Sequence, residues 1–265
     1  MAMHMESGVW QVYAVRYAHH HRTARENFIG GDPHDESPMP MDYFVWAVVS
    51  GDRAIVVDTG FDEAMAKQRG RDFLHCPGEG LRQIGIDPAQ VEDVVISHMH
   101  YDHSGNHNLF PSARYHLQDR EMKFCTGRFM VHPHSRVPFE AEDVVAMVRR
   151  LYAGRVVFHD GDEEFAPGLS LHRVGGHSMG LQMLRVNTRG GHVVLASDAA
   201  HYYANLERGL PYPITYNVAE VMEGYRRAYA LASSPELVIP GHDPLVLRRY
   251  PAAKPELEGW VVRLD

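Results

Sequence analysis

The sequence predicts an α/β protein, a four-layer αββα sandwich in which two β-sheets lie face to face with helices outside. Three observations predict it: short β-branched runs that stop at polar or Gly-containing turns, helical periodicity between groups of these runs, and recurrence of that pattern along the chain. The 265 residues suffice for one sizeable core, and no linker or internal repeat divides them, so residues 1–265 are expected to form a single domain.

Tyr43 to Ser50, the turn Gly51-Asp52, and Ala54 to Val57 read as a hairpin, because Gly-Asp between two apolar runs marks a tight turn. Helical periodicity follows in Phe61 to Gly70, and Asp87-Pro88 starts a short helix. Val94-Val95-Ile96 is a buried strand that runs into Ser97-His98. Asp119 to Phe124 and Ala141 to Leu151 are helical. Leu169 to Val174 and Leu181 to Val186 flank Gly175-Gly176-His177 as a strand pair. Val193-Val194-Leu195 then runs into Ser197-Asp198, Ala219 to Ala232 is helical, and Leu237-Val238-Ile239 runs into Pro240-Gly241-His242. The stretch from His19 to Met41, rich in Pro, Gly and charge, is expected to be a long loop with His19-His20-His21 solvated.

Composition excludes several classes. Apolar residues at 45% and charged residues at 23% are those of a globular domain, against disorder or coiled coil. The net charge of −8 argues against general affinity for nucleic acid, and two divalent cations would offset part of it. Cys76 and Cys125 are too few for a disulfide scaffold and lack C-x-x-C spacing. Met1 to Trp10 has no basic segment followed by an apolar run, so no signal peptide is expected. The longest apolar stretch, Tyr43 to Val49, falls short of the roughly 20 residues a membrane helix needs. A cytoplasmic protein without nucleic-acid or membrane partners is expected.

The chain carries 19 His, and their spacing decides what they mean. In Ser97-His98-Met99-His100-Tyr101-Asp102-His103, the first two His stand two apart at the end of a strand, so both can chelate one ion. Asp102 and His103 follow where a turn aims them at a second ion. Core packing disfavours so many polar groups together. His177, Asp198 and His242 stand at the ends of later strands, where sheet ends converge, and can close two coordination spheres. Five imidazoles and two carboxylates without a thiolate suit two Zn²⁺ ions, and also accept Mn²⁺, Fe²⁺ or Co²⁺. Such ions, about 3.5–4 Å apart, share a hydroxide that attacks a carbonyl. Asp102 or Asp198 then carries a proton to the leaving alkoxide.

The His-x-His-x-Asp-His run at His98 to His103 resembles the signature of the metallo-β-lactamase superfamily. The resemblance extends from Val56-Val57-Asp58-Thr59-Gly60 through Gly175-Gly176-His177-Ser178-Met179-Gly180 and Ser197-Asp198 to Gly241-His242. Within that superfamily the chain is most similar to N-acyl homoserine lactonases and pyridoxolactonases. The resemblance implies the metallo-β-lactamase fold and a quorum-quenching lactonase acting on a small-molecule lactone, with a homodimer as the candidate assembly. It implies one metal on His98, His100 and His177, the other on Asp102, His103 and His242, and Asp198 between them.

Asp198 stands where lactam-cleaving members often carry Cys, and His100 where flavodiiron-type oxidoreductases carry a carboxylate, so neither chemistry is favoured. A thioester, a pyridine-fused lactone or a cyclic amide remains open as substrate. So does a non-catalytic metal-binding sensor, while acidity weighs against a nuclease.

One departure concerns the residue three after Asp198, a Tyr in homoserine lactonases and His201 here. His201 is expected to donate to the substrate carbonyl, unless Tyr202 or Tyr203 reaches in instead. Asp58 is expected to fix the tautomer of a ligand His, and His107 to be no ligand. Met39, Met41, Phe44 and Trp46, with Phe124, Phe129, Met130 and Phe139, are candidates for an apolar entrance. Arg16, Arg22 and Arg25 are expected to be solvated.

Overall fold

The computed structural model describes residues 8–265, so the reading of the first seven residues lies outside the described residues. The chain opens with β1 (Gln11–His20), β2 (Met41–Ser50), β3 (Arg53–Val57), α1 (Glu63–Arg69), β4 (Asp72–Phe73), α2 (Pro77–Gln83) and β5 (Asp93–Val95). There follow α3 (Tyr101–Ser104), β6 (Arg114–Gln118), α4 (Asp119–Cys125), α5 (Pro133–Arg136), α6 (Ala141–Tyr152) and β7 (Val156–His159). The second half adds β8 (Glu163–Ala166), β9 (Leu169–Arg173), β10 (Gln182–Thr188), β11 (Gly191–Ser197), α7 (Tyr203–Arg208) and α8 (Val218–Leu231). It ends with β12 (Val238–Pro240), α9 (Val246–Arg249) and β13 (Val261–Arg263).

One sheet has the order β13-β1-β2-β3-β5-β6-β7, with β4 paired to β1, and the other β12-β11-β10-β9-β8. Side-chain alternation turns these sheets into four layers. On β2, Tyr43, Val45 and Ala47 join a core with Ala66 of α1, Leu81 of α2 and Met147 of α6. The alternate residues Phe44, Trp46 and Val48 join Leu171, Leu184, Val186 and Leu195 of the other sheet. On β11, Val194 and Ala196 face Val221, Tyr225 and Ala228 of α8. Three apolar seams therefore separate four layers, and a strand buried on both faces carries an unbroken apolar run. Phe44 and Trp46, expected near an entrance, are enclosed between the sheets instead. Each such burial contributes roughly 1.5–3 kcal/mol.

Local signals agree with the layers. Asp62 caps α1 by accepting from the Met65 amide at 2.8 Å, and Gly70 ends it with φ 64°. Asn217 caps α8. β1 runs on through His19 and His20, paired with Asp42 and Met41 of β2, so these two are strand residues rather than solvated loop. The His19 ring lies 2.7 Å from the Asp42 carboxylate, a partner supplied by the neighbouring strand. Arg16 also meets Asp42, at 3.4 Å, and Arg25 pairs with Glu36. Cys76 and Cys125 are free thiols. Among the described residues no helix is long and apolar enough to cross a membrane.

The C-terminal ends of β3, β5, β11 and β12 come together at one edge, which delivers Asp58, Ser97-His98, Asp198 and His242 to one place. Asp58 and Ser197 are the two non-glycine residues with positive φ among the described residues, at 62° and 46°. Such backbone costs energy and collects at functional turns.

Candidate metal centre

Four groups of donors have atoms close enough to hold a metal: His98, His100 and His177; His98, His103 and Asp198; Asp102, His103 and His242; and His177, Asp198 and His201. Asp198 sits at the middle. Its Oδ2 is 3.2 Å from His177 Nε2 and its Oδ1 is 3.2 Å from His103 Nε2 and 3.0 Å from His242 Nε2. Asp102 Oδ2 is 3.6 Å from both His103 Nε2 and His242 Nε2. Thus every residue expected as a ligand arrives at one centre. His98 and His100 lie beyond the end of β5, at Val95, so strand alternation does not align them; the loop and α3 do. Gly241 is required by close approach, because a Cβ there would lie 2.5 Å from Asp198 Oδ1.

The outer ring nitrogens determine what the inner ones present. His177 Nδ1 donates to the Ile214 carbonyl at 2.6 Å, and His242 Nδ1 to the Asp42 carbonyl at 2.9 Å. His103 Nδ1 donates to Asp58 Oδ2 at 2.7 Å, as expected for Asp58. Ser97 Oγ donates to Asp58 at 2.8 Å, accepts from Ser197 Oγ at 2.9 Å, and leaves a lone pair for His98 Nδ1 at 3.1 Å. With the Nδ1 protons spent outward, the Nε2 atoms turn lone pairs inward. His98 Nε2 and His177 Nε2 face each other at 3.1 Å, and the buried His103 Nε2 and Asp198 Oδ1 have no hydrogen-bond partner. Acceptors crowded against acceptors repel unless a cation lies between them, a proton at His103 and His242 in the free protein or a metal ion in its place, so the donor set fits a metal.

Charge tells the same story. Burial holds His98 and His100 well below the ordinary imidazole range and His177 at about 3, so these three stay neutral, as ligands must. Burial opposes a proton on His103 and His242 as well. There the carboxylates of Asp198 and Asp102, joined at His103 by Asp58, overcome it and push both imidazoles upward. Burial likewise opposes charge on Asp198, but the surrounding imidazoles, His242 and His103 foremost, hold its carboxyl well below the usual range. The centre attracts positive charge.

His201 is buried, with Nε2 3.0 Å from Asp198 Oδ2 and its ring stacked on Tyr212 at 3.7 Å between centroids. Tyr212 itself donates to the Asp198 carbonyl. Burial lowers His201 to about 4, so the neutral ring donates through Nε2. Tyr202 turns its hydroxyl to the Met39 carbonyl, and Tyr203 packs between the sheets beneath Arg249, so neither reaches the centre. His107 is buried but outside the donor groups. Sequence reasoning passed over Glu121, whose position in a helix suggests a solvated residue, and the Asp42 and Ile214 carbonyls, which carry no side-chain signal.

A cavity of about 320 Å³ opens beside His100 and His177 and is walled by Phe124, Phe129, Val137, Ile214 and Tyr216. Phe124 and Phe129 thus lie at an entrance as expected, and Phe139 packs edge-on against His100. A larger cavity, about 750 Å³, lies at the opposite ends of β3 and β5 and contains none of the donors. Size alone is a poor guide here, and the smaller cavity is the one next to the chemistry.

Residues 40–242 match the model of the metallo-beta-lactamase superfamily. The chain belongs to this superfamily. Among its relatives, N-acyl homoserine lactonase AiiB of Agrobacterium fabrum is 33% identical over 131 residues, 48% of this chain and 47% of that protein. An N-acyl homoserine lactonase of Bacillus thuringiensis is 26% identical over 174 residues, 60% of this chain and 64% of that protein. The aligned region therefore spans between about half and two thirds of these curated relatives. A solved quorum-quenching N-acyl homoserine lactone lactonase superposes with a TM-score of 0.73 at 20% identity, covering 90% of this chain and 94% of that one. AidC, a dizinc quorum-quenching lactonase in complex with a product, superposes at 0.67 with 15% identity, covering 90% and 89%. Both share the superfamily fold found here.

Proposed function

We propose that the protein is a dinuclear metal-dependent hydrolase that opens a lactone ring, an N-acyl homoserine lactone or a related cyclic ester. The observation that carries this reading is the convergence of inward-facing Nε2 atoms on the Asp198 carboxylate. His98, His100 and His177 would hold one ion and Asp102, His103 and His242 the other, with Asp198 within reach of both. Zn²⁺ suits the donors best, and Mn²⁺, Fe²⁺ or Co²⁺ are the alternatives. The lactonase relatives support the choice of substrate.

When bound, the ions supply Lewis acidity and bring the ionisation of water near neutral pH. The chain does the rest. Asp102, whose side chain is 11% exposed against 4% for Asp198, is the more accessible of the two carboxylates and would take the proton released by the attacking water and pass it to the leaving alkoxide. His201, neutral and with Nε2 directed at the centre, would donate a hydrogen bond from Nε2–H to the substrate carbonyl oxygen and keep its proton. The cavity beside His100 takes the substituent of the lactone. No Asp, Glu, Lys or Arg lines it, which favours a neutral apolar group. Its three aromatic rings, Phe124, Phe129 and Tyr216, with centroids 5.0–5.8 Å apart, also support a second reading in which the substrate is an aromatic lactone. The enzyme acts as one cytoplasmic domain on a small molecule.

Elemental analysis coupled to a pH-indicator assay on lactones with short, long and aromatic substituents tests the proposal. Two metals per chain and turnover of acyl lactones are expected. Fewer than two metals, or no hydrolysis across the panel, refutes it, and activity confined to aromatic lactones selects the second reading. A His201→Ala variant with both metals and full kcat/KM would remove His201 from the scheme.

A further inference from the structure

Glu121 on α4 is fully buried, a costly position for a carboxylate outside the donor set. Its two oxygens serve two different loops. Oε1 accepts from the Met99 amide at 2.9 Å, between His98 and His100. Oε2 accepts from Ser178 Oγ at 2.7 Å and from the Gly180 amide at 2.9 Å, in the loop that carries His177. The second loop presses so closely on Glu121 that a Cβ at Gly180 would lie 2.1 Å from the Glu121 amide nitrogen. Apart from the facing ligand rings of His98 and His177 themselves, no other side chain among the described hydrogen bonds joins these two loops.

We infer that Glu121 is a positioning residue, a carboxylate bridge that sets the distance between the His98-His100 loop and the His177 loop and thereby shapes one of the two metal sites. The inference rests on the dinuclear reading above. It follows from the division of labour between the oxygens. Three imidazoles on two separate loops make one coordination sphere only if the loops are held in register, and neither loop is part of a strand. His103 and His242 are held independently, by Asp58 and the Asp42 carbonyl, so the other site does not depend on Glu121.

Glu121→Gln separates the two functions, since an amide has one acceptor oxygen and its NH₂ faces the donors of the other loop. Chelator competition on the metal-loaded protein, with imidazole resonances assigning each ion, is the test. The ion at His98, His100 and His177 is expected to bind about tenfold or more weakly, and its partner within about twofold of wild type. Metal-free Glu121→Gln is expected to lose hydrogen-exchange protection at the Met99 or Gly180 amide. Ser178→Ala, which removes a single donor, shifts the same ion less and serves if Glu121→Gln fails to fold. Equal weakening of both ions, or of neither, overturns the inference. A wild-type chain that holds fewer than two ions refutes the dinuclear reading, and the amide protection then still decides whether Glu121 ties the loops.

Discussion

Replacing Asp58 by Asn isolates what one buried charge does for the centre. Asp58 accepts from the Ser97 amide at 2.7 Å, from Ser97 Oγ at 2.8 Å and from His103 Nδ1 at 2.7 Å. Its φ of 62° is a conformation that Asn tolerates nearly as well as Gly, so the backbone is undisturbed. The amide oxygen can face the Ser97 amide or the pair of Ser97 Oγ and His103, but not both. At least one charge-assisted hydrogen bond is lost, worth about 1.5–3 kcal/mol. Its loss appears as a 10–100-fold weaker metal at His103, which is about 1.4–2.7 kcal/mol. Chelator competition on the loaded protein measures this directly. Asp58→Ala should show similar metal loss but an additional drop of about 1 kcal/mol in the stability of the metal-free protein, because Ala resists positive φ. An Asp58→Asn protein with wild-type affinity for both ions would refute the claim that Asp58 prepares His103 for binding.

Three further outcomes follow from the structure. Gly241→Ala places a Cβ 2.5 Å from Asp198 Oδ1, so metal content should fall while the fold, by circular dichroism, persists; full metal occupancy would contradict the close-packing argument. Phe129→Ala removes one wall of the cavity beside His100 and should raise KM for lactones with large apolar substituents several-fold, leaving small ones unchanged; a uniform change across the panel would place the substituent elsewhere. Burial, with Glu140 and Asp62 nearby, raises the Asp143 carboxyl from 3.8 to about 7. The folded state therefore binds that proton more tightly than the unfolded state, and stability declines as pH rises from about 4 through 7. Asp143→Asn should match wild type near pH 4 and gain roughly 1–3 kcal/mol above pH 7, allowing for partial exposure; a Tm difference independent of pH would disprove the assignment.

The strands with unbroken apolar runs, such as β2 and β11, were legible because burial on both faces demands them. β6 was not. Arg114-Tyr115-His116-Leu117-Gln118 reads as an unremarkable polar stretch, yet His116 is buried against Asp93 at 3.1 Å and His159 at 3.0 Å. Gln118 is likewise satisfied by Gln182 of the other sheet, at 2.9 Å. Partners from distant strands make polar residues acceptable in the interior, and no local pattern announces them. The same cause carried β1 through His19 and His20, where Asp42 waited across the sheet.

By itself the sequence determined the layered fold and singled out the candidate donors, because buried strands need apolar runs and because imidazoles and carboxylates gathered close to strand ends are the groups that coordination requires. Only the tertiary structure decided how those donors face. The outward partners of the rings are backbone carbonyls at Asp42 and Ile214 and the carboxylate of Asp58, and the spacing of the two His loops is held by Glu121. A hydrogen bond has a direction and a length of about 3 Å, and these are properties of atoms brought together from across the chain rather than of residues adjacent within it.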